Sequence, residues 1–264
     1  MKKFTLFLGI TIAAMVLTSS CKKEVESITL DKTTLIMQLN EQQLLTATIL
    51  PEKAYDKTVL WRSSDVGIVS VDNTGLLTAL AGGDAVITAT AGNYTATCSI
   101  TVGVKINGVI WATRNVDAFR TFAQNPQNDG MFYQWNRPTA WATTGDVIGW
   151  NNFAPEGTTW TADNDPCPAG WRVPTKLELE GLGIGEWTTN GRQFGTAPNQ
   201  IFLPAVSYRD SDGLLGYAGY GRYWCNTSGL DYYAYKLGFS AIHDAVVDSD
   251  FKTYGFSVRC VAAK

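Results

Sequence analysis

Between Glu26 and Val102 the chain never runs far without a turn. The runs "TTLIMQLN", "QLLTATIL", "TVLWRSS", "GIVSVD", "GLLTAL", "DAVITATA" and "TATCSITV" are rich in Thr, Val, Ile and Leu, and "DNTG", "AGGD" and "AGN" separate several of them. Such runs are too short for most helices and need partners on both sides to satisfy their backbones. Seven short strands in under eighty residues predict a small β-sandwich. Trp61 and Cys98 are expected in its core, and the segment presents no candidate site.

The chain has 264 residues, enough for two domains with cores of their own. Hydrophobic residues make up 45% and charged residues 17%, the balance of a globular chain. The net charge is −3, with no basic cluster after the N-terminus, so nucleic acid is not an expected partner. One histidine, His243, argues against a multi-histidine metal site, and no metal or other cofactor is expected.

At the N-terminus, "MKKFTLFLGITIAAMVLTSSC" places Lys2 and Lys3 before an apolar run from Phe4 to Leu17, with small residues before Cys21. The run has the length of an export signal and is short for a bilayer span. A cysteine after small residues resembles the lipobox of bacterial lipoproteins, although Thr18 stands where the pattern prefers Leu. The resemblance implies cleavage before Cys21, its acylation, and an outer-membrane address, since Lys22 is not the Asp of inner-membrane retention. The alternative is an ordinary cleaved signal.

The residues "VLWRSSDVGIVSVDNTGLLTALAGGDAVITATAGNYTATCSITV" resemble the bacterial Ig-like group 2 domain, which implies a spacer or adhesion module. Composition then shifts, with eight of the nine Trp lying after Val102. There "KINGVIWATRNVD", "GMFYQWNR", "DPCPAGWRVPTKLELEGL", "GRQFG", "IFLPAVSYRDSDGLLGYAGYGRYW", "AYKLGF" and "GFSVRCV" follow in order. Together they resemble the Fibrobacter succinogenes major paralogous domain and the related DUF1566 domain, which look like variants of the C-type lectin fold. "VPTKLELEGL" is its expected helix, with Pro174 in the first turn and Leu177, Leu179 and Leu182 making apolar contacts. The expected fold class is therefore two domains: an all-β Ig-like sandwich followed by a mixed α/β C-type lectin-like domain. The boundaries are 1–21 signal peptide, 22–26 tether, 27–102 sandwich and 103–264 lectin-fold domain.

Beyond Cys21 the cysteines are Cys98, Cys167, Cys225 and Cys260, which allow three pairings. The family resemblance, which places Cys167 and Cys260 in its motifs, implies that these two pair. Cys225 stands in "YWCNT", where the family usually has "YWSS". The Glu-Pro-Asn and Gln-Pro-Asp signatures of calcium-dependent sugar binding are absent, "WNN" at 150–152 matches only half of another such motif, and "DSDG" at 210–213 reads as a turn. No nucleophile-elbow motif accompanies His243, so no catalytic residue is assigned. The fold's distant relation to formylglycine-generating oxidases leaves an enzyme as an alternative, with Cys225 and Cys260 as the pair to inspect.

"SAIHDAVVDSDF", residues 240–251, follows neither the strand nor the helix period, although "AYKLGF" and "FSVRCV" on either side alternate like strands. In some lectin-fold proteins this segment is rewritten by diversity-generating retroelements, which restrict it to residues with codons ending in C. Between Trp224 and Lys252 only Lys236 falls outside that set. Tyr217, Tyr220, Tyr223, Tyr232 and Tyr233 lie among Gly, Ser and Asn, a composition suited to recognition surfaces. Trp224, Tyr235, Leu237, Phe239 and Phe256 are expected in the core. The expected ligand-binding residues are Tyr217, Tyr220, Arg222, Cys225, Leu230, Asp231, Tyr232, Tyr233, Ile242, His243, Asp244, Val246, Asp248 and Asp250. The expected protein is a monomeric, lipid-anchored surface binding or adhesion protein without enzymatic activity, whose partner is an extracellular protein or glycan. A structural lipoprotein without a diversified site is the other alternative.

Overall fold

Nine strands build the first region of the computed structural model, which describes residues 23–263. They are β1 (Ser27–Leu30), β2 (Thr34–Gln38), β3 (Gln42–Leu44), β4 (Ala47–Leu50), β5 (Leu60–Ser63), β6 (Val69–Val71), β7 (Leu76–Ala79), β8 (Gly83–Ala91) and β9 (Tyr94–Ile106). β2, β9, β8 and β5 form one sheet, β3, β7 and β6 a second, and β1 pairs with β4. Alternation sets the core: along β8, Gly83, Ala85, Ile87, Ala89 and Ala91 are buried and the residues between them are not. Met37, Leu45, Val69, Leu77, Ile87, Cys98 and Ile100 close the sandwich between the sheets. Cys98 is buried as expected, while Trp61 is half-buried and bridges the two apolar clusters of this region.

The run "QLLTATIL" is two strands, not one. The chain changes partners at buried Leu45 and exposed Thr46: β3 pairs with β7 and β4 with β1, and Asp31 Oδ1 accepts the Thr46 N–H at 2.8 Å. The expected boundary at 102/103 falls inside β9, which continues to Ile106. Asn107 and Gly108, both at positive φ, then make the tight two-residue turn that an Asn-Gly pair favours.

β10 (Val109–Trp111) returns antiparallel to the end of β9. The remaining elements are β11 (Phe132–Gln134), β12 (Ala140–Trp141), β13 (Trp171–Arg172), α1 (Lys176–Glu180), β14 (Glu186–Thr188), β15 (Gly191–Thr196), β16 (Asn199–Pro204), β17 (Tyr220–Ser228), β18 (Tyr233–Ser240), β19 (Val246–Phe251), β20 (Gly255–Phe256) and β21 (Val261–Ala262). β13 and β21 extend the β5–β8–β9–β10 sheet, so one sheet serves both regions. Ile36 of β2 also packs against the second region's aromatic core.

The mixed α/β expectation for this second region is corrected. Its one helix among the described residues has five residues, and the rest is short strands and ordered loops. Thr175 is the N-cap, accepting from the Glu178 N–H while Glu178 reaches back to the Thr175 N–H, so Pro174 precedes the helix and does not lie in its first turn. Leu179 and Leu182 are buried, but Leu177 is exposed because so short a helix turns only one narrow face inward. The Cys167–Cys260 disulfide joins the loop before β13 to the residue before β21. Cys98 and Cys225 are unpaired. The expected signal peptide and Cys21 lie outside the described residues.

Candidate functional site

β17, β18 and β19 form a three-stranded antiparallel sheet with β19 at its edge. Register places Tyr223, Leu237 and Val247 across from one another, and all three belong to one apolar cluster. Trp224 lies on the opposite face, in a second cluster with Phe256, the ring centroids 4.2 Å apart. Away from Trp224, that second face opens into a cleft of about 360 Å³ lined by Tyr220, Arg222, Lys236, Gly238, Phe239, His243, Asp244, Val246 and Asp248.

Residues 240–251, which follow neither period in sequence, are not irregular throughout. Val246–Phe251 is a strand in register with Tyr233–Gly238, and its apolar pattern is weak because an edge strand with one open face has few core positions. The acidic residues of this strand and of the turn before it are also paired. Asp250 Oδ2 accepts from Arg222 Nη1 at 2.7 Å, Asp244 Oδ1 from Arg192 Nη2 at 3.0 Å, and Asp248 from the Lys236 ammonium. Burial pushes the Asp250 carboxyl above its ordinary range, and the Arg222 charge partly offsets this.

In the Arg192–Asp244 and Lys236–Asp248 pairs the cation lies low and the carboxylate high, whereas Arg222 and Asp250 are buried alike. Side-chain exposure is 5% for Arg192, 8% for Lys236 and 20% for Arg222, against 69% for Asp244 and 58% for Asp248. Lys236 precedes core-directed Leu237 by one residue, so it emerges on the cleft face. A Cβ on Gly238 would lie 2.7 Å from its Nζ, and glycine there leaves room for the ammonium. The Arg222 guanidinium lies 3.7 Å from the Tyr208 ring centroid. His243 stacks on Tyr220 at 6.4 Å, and its Nδ1 is 3.0 Å from Ser240 Oγ.

Six expected ligand-binding residues therefore meet in this cleft: Tyr220, Arg222, His243, Asp244, Val246 and Asp248. Asp250 lies beneath it as the partner of Arg222. Asp231 and Tyr232 line a different cleft of about 390 Å³ with Ala154–Thr158 and Lys252. There the Lys252 ammonium donates to Gly157 O at 3.1 Å and lies over the Trp135 ring, and burial lowers its pKa while Asp231 counteracts that shift. Leu230 is exposed beside this second cleft, Tyr233 rests on Phe251, and Tyr217 and Ile242 project into solvent.

Three expectations are corrected. Cys225 is fully buried on the apolar face, its thiol pushed up to about 11 by burial, so it contributes nothing to a ligand surface. Cys260 is already bonded to Cys167, so Cys225 and Cys260 form no reactive pair. Tyr223 is also buried, its hydroxyl donating to Pro204 O at 2.8 Å. Sequence reading missed Lys236, Gly238 and Arg192. The signal for Lys236 was a lysine in an otherwise apolar strand beside Leu237; Arg192, distant in sequence, carried none.

Asp210 Oδ1 accepts the Asp212 and Leu214 N–H groups, so "DSDG" is a turn. Among the described residues no group of three or more His, Cys, Asp or Glu side chains is placed to hold a metal ion.

Residues 24–102 match the family model of the bacterial Ig-like domain (group 2). An uncharacterized protein of Clostridium acetobutylicum is 48% identical over 61 residues, covering 22% of this chain and 15% of that protein. A second uncharacterized protein of the same organism is 33% identical over 87 residues, 32% of this chain and 9% of its own length. The chain thus spans only a small part of the curated relatives it matches. Similar solved structures include domains 4 and 5 of the S-layer protein SbsC (21% identity, 30% of this chain and 51% of that one, TM-score 0.26). Another is invasin, a bacterial integrin-binding protein (12% identity, 89% of this chain and 36% of that one, TM-score 0.24). The match to the bacterial Ig-like domain covers the first region, and the β17–β19 cleft lies beyond the matched residues.

Proposed function

We propose that the chain is a cell-surface binding or adhesion protein, in which the Ig-like region carries a recognition region whose working surface is the β17–β19 cleft. The observation that carries this reading is convergence. Residues from β17, the 241–245 turn and β19 come together around one open cleft, with exposed carboxylates above paired cations and a stacked Tyr220–His243 pair. The ligand is an extracellular protein or glycan. Acylated Cys21 anchors the protein to a bacterial outer membrane, facing outward. The second region is a variant of the C-type lectin fold, and its exposed 241–251 side chains are open to diversification by a retroelement. Among the described residues, the buried Cys225 thiol and the Cys167–Cys260 disulfide leave no reactive cysteine pair, so nothing favours the oxidase-like alternative over binding.

The test is capture of extracellular proteins and glycans on arrays by the full chain and by Tyr220→Ala with Asp244→Ala. Loss of every specific signal in the double variant, with an unchanged melting temperature, supports the cleft. Retention of all signals removes it. Labelling with a palmitate analogue, present in the native chain and absent in Cys21→Ala, tests the anchor.

A further inference from the structure

The edge of the β17–β19 sheet carries unpaired backbone. Lys252 N–H donates to Tyr232 O at 2.8 Å, which makes 232 and 252 a hydrogen-bonded pair across β18 and β19. Antiparallel pairs alternate, so 234 with 250, 236 with 248 and 238 with 246 are also hydrogen-bonded, and Val247, Ser249 and Phe251 direct their N–H and C=O groups outward. Phe251 is closed off, its N–H donating to Asp250 Oδ1 and its C=O accepting from Tyr254 N–H. The backbone groups of Val247 and Ser249 have no hydrogen bond to another described residue on that side.

We propose that this edge takes up an extended basic segment of another protein as a fourth strand, with its cationic side chains over Asp248 and the cleft. The proposal rests on reading the cleft as the recognition site. Strand addition supplies main-chain hydrogen bonds, and neighbouring side chains supply selectivity. A residue opposite Asp248 would occupy a non-hydrogen-bonded position, where facing side chains come closest. The charge that Asp248 and Asp244 present to solvent is negative, because their cationic partners Lys236 and Arg192 lie beneath them. A lysine or arginine opposite Asp248 therefore meets an exposed carboxylate. A second copy of this chain fits poorly, since antiparallel pairing of two β19 edges about Ser249 would set Asp248 of one copy against Asp250 of the other.

The experiment follows the amide resonances of the isotope-labelled full chain as a short, capped peptide alternating lysine and valine is added. Its counterpart alternating glutamate and valine is the control. The expected result is that the lysine peptide shifts Val247 and Ser249 and slows their exchange with solvent, while the glutamate peptide does neither. Ser249→Pro deletes an outward N–H that the sheet does not use, so it should leave the melting temperature unchanged and weaken binding about tenfold. Asp248→Asn should weaken it roughly three- to fivefold, and added salt should do the same. A lysine peptide N-methylated on alternate amides keeps its charge but cannot pair, and it must fail to bind. The proposal is overturned if the lysine peptide does not bind, if the glutamate peptide binds better, or if the methylated peptide binds as well as the plain one. A ligand that needs Tyr220 and Asp244 but is indifferent to Ser249→Pro keeps the cleft and overturns strand addition. Peptide binding that needs Ser249 but ignores Tyr220→Ala keeps strand addition and removes the cleft reading.

Discussion

The regions on either side of Val102 bury different kinds of side chain. Among the described residues up to that point, Ser63 is the only buried polar one, and the core is Met37, Leu45, Leu77, Ile87, Ile100 and their apolar neighbours. Beyond it, Arg192, Arg209, Lys236, Lys252 and Arg259 are all buried. Arg209 donates to the carbonyls of Ala142, Thr144, Gly145 and Gly213, and Arg259 to Asn115 Oδ1 and the carbonyls of Ala112 and Phe202. A ladder of regular strands satisfies its own backbone. Loops do not, and the second region uses buried cations to satisfy loop carbonyls that no strand partner reaches. The contrast suits their proposed tasks, since a spacer needs only a regular sandwich whereas a recognition surface needs shaped loops held still.

The largest expected effect lies in the second region's apolar core. Phe256 is fully buried against Trp224, and Phe256→Ala should cost about 3–5 kcal/mol in chemical denaturation. The matching change in the first region, Ile87→Ala, should cost about 2–5 kcal/mol. Because β9 runs through both regions and one sheet joins them, either variant should shift a single calorimetric transition. Two separate transitions, each sensitive to one variant only, would break the comparison by making the regions independent.

Loss of the disulfide comes next. Cys167 and Cys260 are 93 residues apart, and replacing both by Ser should destabilise the chain by roughly 2–4 kcal/mol. Non-reducing peptide mapping should find them linked, with Cys98 and Cys225 free.

A smaller effect tests how polar contacts hold the second region. Glu178 receives both Arg172 Nη groups, at 2.8 and 2.6 Å, and closes the helix cap. Burial alone would raise its pKa, but the Arg172 and Thr175 contacts outweigh burial and hold it below the ordinary 4.5. A lowered folded-state value means that the folded chain binds its proton less readily than the unfolded chain. The stabilisation is therefore present above about pH 4.5 and lost as pH falls through the folded value. Glu178→Gln should cost about 1–3 kcal/mol at neutral pH and remove that part of the acid limb. An unchanged acid limb in urea titrations would show that Glu178 does not carry it.

The smallest effects separate the two kinds of residue in the 240–251 segment. Ile242 is 84% exposed, and Ile242→Ser should change stability by no more than about 0.5 kcal/mol. Asp248 holds the buried Lys236 ammonium, and Asp248→Asn should cost about 1 kcal/mol. Equal effects at both positions would mean that the segment is uniformly free surface.

Much of the first region was legible in its residues. Strand-period runs and turn dipeptides are local signals, and they located the sandwich and its core cysteine. Core Trp224, Leu237, Phe239 and Phe256 were legible for the same reason, since alternation reports burial. The resemblance of the "PCPAGW" and "SVRCV" motifs carried the disulfide. Local pattern failed where a strand changes partners, as between β3 and β4, and where it crosses from one region to the next, as β9 does. It also failed for β19 and the turn before it, whose acidic residues are placed by Arg192, Arg222 and Lys236 on other strands.

The sequence by itself determined which residues alternate, where turns break the chain, and which aromatic rings are too apolar to leave in water. Only the tertiary structure decided which strand pairs with which, that Cys225 turns inward, that the Asp244 and Asp248 carboxylates stand above buried cations, and that Val247 and Ser249 are left at an open edge. The physical reason is range. Side-chain period and turn chemistry act within a few residues, whereas ion pairing, sheet order and edge exposure depend on residues brought together from distant parts of the chain.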